Sequence, residues 1–295
     1  MFRYLNTDAE LFSRRRFESV SDTELIGFAD HCINKEDGDN LLALWHVIHN
    51  LNEYNITRDA VCAFHYGSFN YNLNTPTSDF DLIVVTMPSM SDLIWDMGKP
   101  KCQEHKYPQG IIKEVDFRYF MSELIKGRNP NLMEAYLSKY LWVARKYPLC
   151  ADLCNQSFCK NGYLINPKGL FEAYKGMAYS HADKCSKEQD SKQYVNAIRC
   201  AEAAMDLART PILYCLTGED TTSWHREKLR KKKTELKFYP EEAIRLKDNL
   251  DTLFSQPIEF EPQDNPFPAI SKLGGTAAYL QRVTEIAFTD YLTKP

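Results

Sequence analysis

The chain has 295 residues, 44% of them hydrophobic and 26% charged, and a formal net charge of −4 at pH 7. Such a composition suits one large or two modest globular domains and provides enough apolar material for a core. It excludes a wholly disordered or strongly basic chain, so any affinity for nucleic acid must come from a local patch.

Met1-Phe-Arg-Tyr-Leu-Asn does not have the pattern of a signal peptide, and no run reaches the roughly 18 apolar residues that would suggest a membrane span. No membrane partner is therefore expected. Nine scattered cysteines lack the even spacing of a disulfide framework and point to reduced thiols in a cytoplasmic compartment.

In chain order, Ser21-Asp-Thr-Glu24 reads as a capping box opening a short helix through Leu25, Ile26 and Phe28. A second helix is predicted from Asn40, with Leu41, Leu44, Trp45, Ile48 and Leu51 on one face. Val61-Cys-Ala-Phe64 has strand length and stops at Gly67. A polar loop with Asn74, Pro76 and Ser78 leads into Asp79-Phe-Asp-Leu-Ile-Val-Val85, a strand buried on both faces at its far end. A third strand is expected over Ile111–Tyr119, where Val115, Phe117 and Tyr119 alternate with Glu114, Asp116 and Arg118.

Helical spacing follows. Asn129-Pro130 opens a helix carrying Leu132, Met133, Tyr136, Leu137 and Tyr140. Phe171, Tyr174 and Met177/Ala178 mark another, and Tyr194, Ile198, Ala201, Met205 and Ala208 a third, with alanines small enough for close packing. Prolines 257, 262, 266 and 268 precede a final helix through Leu280, Val283 and Ile286. The expected fold is α+β: strands and N-terminal helices over 1–155, then a mainly helical domain over 156–295, joined near Pro148–Gly162.

The chemistry concentrates in Tyr66-Gly67-Ser68, ten intervening residues, and Asp79-Phe80-Asp81. On a strand Asp79 and Asp81 project to the same side while Phe80 and Leu82 enter the core. Two crowded carboxylates repel, and a hard divalent cation with a preference for oxygen relieves the repulsion. Asp116, between Val115 and Phe117, is expected to add a third carboxylate from its own strand. Glu114 shares its face as a supporting or substitute ligand. Gly67 lets the backbone approach a phosphate, and Ser68 offers N–H and hydroxyl donors. In that arrangement Asp79 and Asp81 bind two metals about 3.5–4 Å apart, and Asp116 ligates the one that activates an acceptor hydroxyl.

Gly67-Ser68, Asp79-Phe-Asp81 and a later apolar-flanked Asp116 resemble the DNA polymerase β-like nucleotidyltransferase superfamily. The wording Tyr-Gly-Ser…Thr-Pro-Thr-Ser-Asp-Phe-Asp is similar to its predicted-nucleotidyltransferase branch of bacteria and phages. Lys126-Gly-Arg-Asn-Pro-Asn-Leu-Met-Glu134, Tyr174-Lys-Gly-Met-Ala178 and the helical stretch 197–216 extend the likeness over much of residues 60–250. Arg128 interrupts what is often a plain Gly-Asn-Pro-Asn run. The resemblance implies a small palm-like mixed sheet flanked by helices as the nucleotidyltransferase domain, Mg²⁺ (or Mn²⁺) dependence, and an NTP substrate with ATP as the leading candidate. If the gene is a phage's, the compartment is the host cytoplasm. It leaves the acceptor open among protein, tRNA and small molecule.

The expected activity is transfer of a nucleoside monophosphate from an NTP to a hydroxyl, with pyrophosphate release. Its rivals are a catalytically silent nucleotide-binding or antitoxin-like module and an RNA-end-modifying nucleotidyltransferase. Lys175 is a candidate triphosphate contact. Arg226–Lys237 has seven basic and two acidic residues; a solvated helix face is the favoured account, with a polyanion groove the alternative. Cys150, Cys154 and Cys159 lack the paired spacing of a zinc site, and His46 and His49, one turn apart, read as helix-face residues.

Overall fold

The structure is a computed structural model. It describes residues 44, 47–71, 73–75, 78–89, 92, 102–107, 110–136, 138, 141–143, 166–209, 223–235, 238–258 and 285.

Five strands form one mixed sheet: β1 (Ala60–Tyr66), β2 (Asp81–Thr86), β3 (Cys102–Tyr107), β4 (Gly110–Asp116) and β5 (Leu141–Val143), in the order β3-β4-β2-β1-β5. Strands β2 and β4 run parallel, and the other neighbours are antiparallel. Leu82, Ile83, Val84 and Val85 are fully buried, because β2 is central and covered on both sides. Ile83 and Val85 face one core with Val115 and Phe64; Leu82 and Val84 face a second with Leu44, Val47 and Ile56.

Six helices complete the described architecture: α1 (Phe117–Lys126), α2 (Pro130–Tyr136), α3 (Pro167–Glu188), α4 (Ser191–Arg209), α5 (Ser223–Lys233) and α6 (Pro240–Phe254). Asn166 caps α3 by accepting the Gly169 N–H at 2.8 Å. Gln189, at φ 52°, ends that helix and turns the chain into α4. The resulting hairpin packs Ala178 and Ala182 of α3 in one core with Ala197, Ala201 and Ala204 of α4. Short side chains let the two helix axes approach closely. The same core runs without a break from the sheet residues Val61, Ile83 and Val115 to Leu246 and Phe254 of α6. The fold is thus α+β, with a small mixed sheet and packed helices. Among the described residues no helix is long and apolar enough to cross a membrane.

Several expectations need correction. The strand predicted over 111–119 ends at Asp116, where α1 begins. Phe117, Phe120, Met121 and Leu124 are buried at helical spacing, so the alternation at 115–119 was the tail of one period and the start of another. Strand β3 was not predicted, because Cys102-Gln-Glu-His-Lys-Tyr is a polar edge strand with most of its side chains exposed. Strand β5 was also missed, and α2 spans Pro130–Tyr136, while Leu137 and Tyr140 of the predicted helix lie outside the described residues. Leu44 and Ile48 are buried in helical turns as expected. The first predicted helix, the domain boundary, the Cys150–Cys159 cluster, the chain beyond 258 apart from residue 285, and His46 lie outside the described residues.

Candidate functional site

The end of β1 and the start of β2 meet at a cleft. Tyr66 pairs with Asp81 across the antiparallel ladder, so the turn after β1 lies beside the acids that open β2. Gly67 adopts φ +89°, a left-handed value that glycine accepts without strain. A Cβ placed there would lie 3.7 Å from Asp81 Oδ2. Ser68 begins a short 3-10 turn through Tyr71, and its carbonyl accepts the Leu73 N–H at 2.9 Å. A second turn, with Ser78 Oγ accepting the Thr75 N–H at 2.8 Å, delivers the chain to Asp79. Gly67, Ser68, Asp79 and Asp81, four of the residues singled out in the sequence, therefore line one cleft of about 810 Å³.

Asp81 is half-buried, and one of its oxygens accepts the Ile111 N–H at 3.1 Å. Burial raises its pKa; the Ile111 hydrogen bond opposes that rise, the charge of Asp79 adds to it, and Lys113 and Lys192 oppose it. Gly110 makes this approach of β4 possible, since a Cβ there would fall 2.6 Å from the Phe80 carbonyl oxygen and 3.1 Å from Asp81 Oδ1.

The opposite wall is helical. Met177, Ser180, His181 and Lys184 of α3 and Lys192, Val195, Asn196 and Arg199 of α4 line the cleft, with Lys233 at the end of α5. Each of the first two sets follows the i, i+3, i+4, i+7 spacing of a single helix face. The polar members of those faces were not identified from sequence. The signal was present in the spacing, but the apolar stripe of the same helices dominated the pattern.

Lys233 donates from Nζ to the Leu73 carbonyl at 3.0 Å. Burial lowers its pKa to about 8, with the neighbouring charges of Lys192, Arg199 and Arg230 adding to the depression and Asp79 opposing it. Burial likewise lowers the pKa of His181, against a 2.7 Å hydrogen bond with Gln193 Oε1, and the charges of Arg199 and Lys184 lower it further. Among the described residues, no carboxylate lies within ion-pair distance of Lys184, Lys192 or Lys233.

Deeper in the same wall, Arg199 and Glu134 form a buried ion pair at 2.5 Å. Tyr174 donates its hydroxyl to the same carboxylate oxygen at 2.8 Å. The guanidinium also lies 4.1 Å from the ring centroid of Tyr71, which ties the Gly67-Ser68 turn to α4. Arg199 Nε is buried and has no hydrogen-bond partner among the described residues.

Asp116 does not join this site. In the parallel β2–β4 ladder it pairs with Thr86, five residues beyond Asp81, or about 16 Å at the usual rise of a strand. Alternation also points it to the other face of the sheet. Its carboxylate caps α1, accepting the Arg118 backbone N–H at 2.9 Å and the Arg118 guanidinium at 3.1 and 3.0 Å. Glu114 faces the same wrong side, bound by Thr86 Oγ1 at 3.1 Å and His105 Nε2 at 3.2 Å. The expected trio of aspartates is thus a pair. Among the described residues no group of three or more His, Cys, Asp or Glu side chains is placed to hold a metal ion.

Lys175 is also displaced from its expected role. Its ammonium sits 5.5 Å from the ring centroid of Phe254, and it does not line the cleft. The basic stretch divides: Lys231 pairs with Glu227 at 2.8 Å and Lys232 with Glu235 and Glu242 at 2.6 and 2.7 Å, whereas Lys233 turns into the cleft.

No family model matches the sequence, and no curated protein matches it at a significant level.

Proposed function

We propose that the cleft binds a nucleoside triphosphate with a divalent cation and transfers its nucleoside monophosphate to a hydroxyl, releasing pyrophosphate. The observation that carries this reading is the pairing of walls: the Gly67-Ser68 turn with Asp79 and Asp81 on one side, Lys184, Lys192 and Lys233 on the other. A polyphosphate has charge to place against both. The small mixed sheet with its acidic central-strand entrance is compatible with the palm-like fold that the sequence resemblance implies.

Asp79 and Asp81 are the residues to hold Mg²⁺ or Mn²⁺, with hard oxygen donors suited to either ion. Such an ion supplies Lewis-acid stabilisation of phosphate oxygens. The chain's own part is positional. Gly67 allows close backbone approach, Ser68 offers its hydroxyl, and the lysines neutralise charge that develops on the leaving pyrophosphate. Replacing Asp79 and Asp81 together by Asn should abolish NMP transfer and leave the unfolding temperature near that of the wild type. Labelled NTPs incubated with the protein and a lysate measure the transfer; undiminished labelling by the double variant refutes the proposal.

A second reading, a nucleotide-binding module without turnover, draws on the position of Asp116. With that carboxylate capping α1, the group assigned to activating the acceptor hydroxyl is absent from the cleft. Calorimetric binding of Mg²⁺ and NTP with no label transferred to any component of the lysate would favour it. An RNA-end-modifying role keeps little support, since Lys231 and Lys232 have carboxylate partners on their own protein surface.

A further inference from the structure

Among the described residues the cleft has three carboxylates, of which Glu134 is held by Arg199 and Tyr174. That leaves Asp79 and Asp81 where a pair of divalent cations calls for three or more, and the parallel ladder shows which residue stands beside Asp81. Leu82 pairs with Ile112, so one step back along both strands brings Asp81 level with Ile111. The contact of Asp81 Oδ1 with the Ile111 N–H confirms that the two residues are adjacent. By alternation Ile111 and Lys113 point to the same side of the sheet as Asp81 and Ile83, the side of the helical wall. A carboxylate able to share a second ion with Asp81 would project from position 111, and the next residue on that face is the cationic Lys113, whose ammonium lies 5.4 Å from the Tyr66 ring centroid.

Positive charge approaches the acids from the helical wall as well. Lys192 acts on Asp81, and Asp79 acts on Lys233. Lys184 and Lys192 are exposed within the cleft and, among the described residues, have no carboxylate partner. Arg199 adds a buried guanidinium whose Nε is unpartnered. Like charges gathered in a concave, half-enclosed site repel one another unless an anion joins them. With Glu134 balancing Arg199, the lining carries two negative charges on Asp79 and Asp81 and three positive charges on Lys184, Lys192 and Lys233. One divalent cation and a fully ionised triphosphate leave this set with a single net negative charge, as near neutrality as a second cation would bring it. With the lysines present, a second cation is therefore not needed for charge balance.

Resting on the nucleotide reading above, we infer that the cleft takes a single divalent cation, held by Asp79 and Asp81, and that Lys192 and Lys233 balance the polyphosphate charge that a second cation would otherwise carry. The lysines are binding residues in this scheme, and Ile111 is the position that sets the ion count.

The test is a titration of the full chain with Mn²⁺, followed by electron paramagnetic resonance, in the presence of an NTP analogue with a methylene bridge between the α- and β-phosphorus atoms. One Mn²⁺ per chain is expected. Lys192→Ala and Lys233→Ala should each weaken binding of the analogue by roughly ten- to hundredfold, the loss of one charge-assisted contact. Their affinity for Mn²⁺ alone should be unchanged or tighter, because a repelling charge is gone. Ile111→Asp should raise the count to two Mn²⁺ per chain, and Ile111→Asn, with the same shape but no charge, should leave it at one. Two ions on the wild-type chain, or lysine variants that bind the analogue as the wild type does, overturn the inference while leaving nucleotide binding intact. Failure of the wild type to bind the analogue with either Mn²⁺ or Mg²⁺ refutes the nucleotide reading itself, and this inference with it.

Discussion

Lys233 shows how much the role of a residue depends on where one helix ends. In sequence it is the last of four consecutive basic residues, Arg230 to Lys233, and nothing there separates it from its neighbours. In the fold Lys231 and Lys232 reach carboxylates, while Lys233 is half-buried and bonded to the Leu73 carbonyl. With its pKa lowered from 10.5 to about 8, the unfolded chain holds this proton more tightly than the folded one. Stability contributed through this group therefore rises as pH increases from about 8 to 10.5. An anion in the cleft has the opposite preference, because it favours the charged ammonium. Binding of an NTP analogue above pH 8 should thus take up protons, and its affinity should fall as pH rises through that range. Calorimetry in buffers of different ionisation enthalpy measures the uptake, which Lys233→Met should reduce. An identical proton count in the variant would remove Lys233 from the account.

At the scale of elements, the outcome turns on where β4 gives way to α1. The signature Gly67-Ser68…Asp79-Phe-Asp81 was legible because it is local: alternation on one strand and one glycine turn bring its parts together. Asp116 was not, because its role depends on register against β2 and on the start of a helix. Register comes from pairing between distant segments, which a single sequence does not display. The residues of α1 carry a helical apolar period only from Phe117 onward, and an aspartate before such a run is as good an N-cap as a metal ligand. The structure assigns it the first role. Asp116→Ala should then cost about 1–2 kcal/mol of stability through the lost cap and leave nucleotide binding unchanged. Chemical unfolding and calorimetry on the same variant measure the two effects. Loss of nucleotide affinity in a variant that remains folded would return Asp116 to the site. The long α3 and α4 were readable for the complementary reason, since their apolar stripes repeat over about four turns and outweigh any single polar residue. That same dominance hid the polar faces that line the cleft.

For the whole molecule, the question is how the sheet that carries the acids and the helices that carry the bases are kept in register. Apolar packing joins them, since one core holds Ile83, Val115, Tyr174, Ala201 and Leu246 together, but such packing tolerates sliding. The polar bridge does not. Glu134 of α2 is 1% exposed and receives both Arg199 of α4 and Tyr174 of α3, so three helices converge on one carboxylate. Arg199 in turn lies over Tyr71, and Tyr71 shares a small core with Leu73, Val195 and Leu229. The Gly67-Ser68 turn is thereby fixed against the helical wall through directional contacts. Removing one partner of such a pair leaves the other charge buried, at a typical cost of about 3–5 kcal/mol, whereas replacing both by apolar groups recovers much of it. Arg199→Met should therefore destabilise the chain strongly in a denaturant titration, and Arg199→Met combined with Glu134→Leu should restore much of that loss. The double variant should nonetheless bind an NTP analogue more weakly than the wild type, because its stability is recovered without the contact that seats Tyr71 and the Gly67-Ser68 turn. Full recovery of both stability and affinity would show that the bridge contributes nothing to the geometry of the cleft and that apolar packing alone sets it.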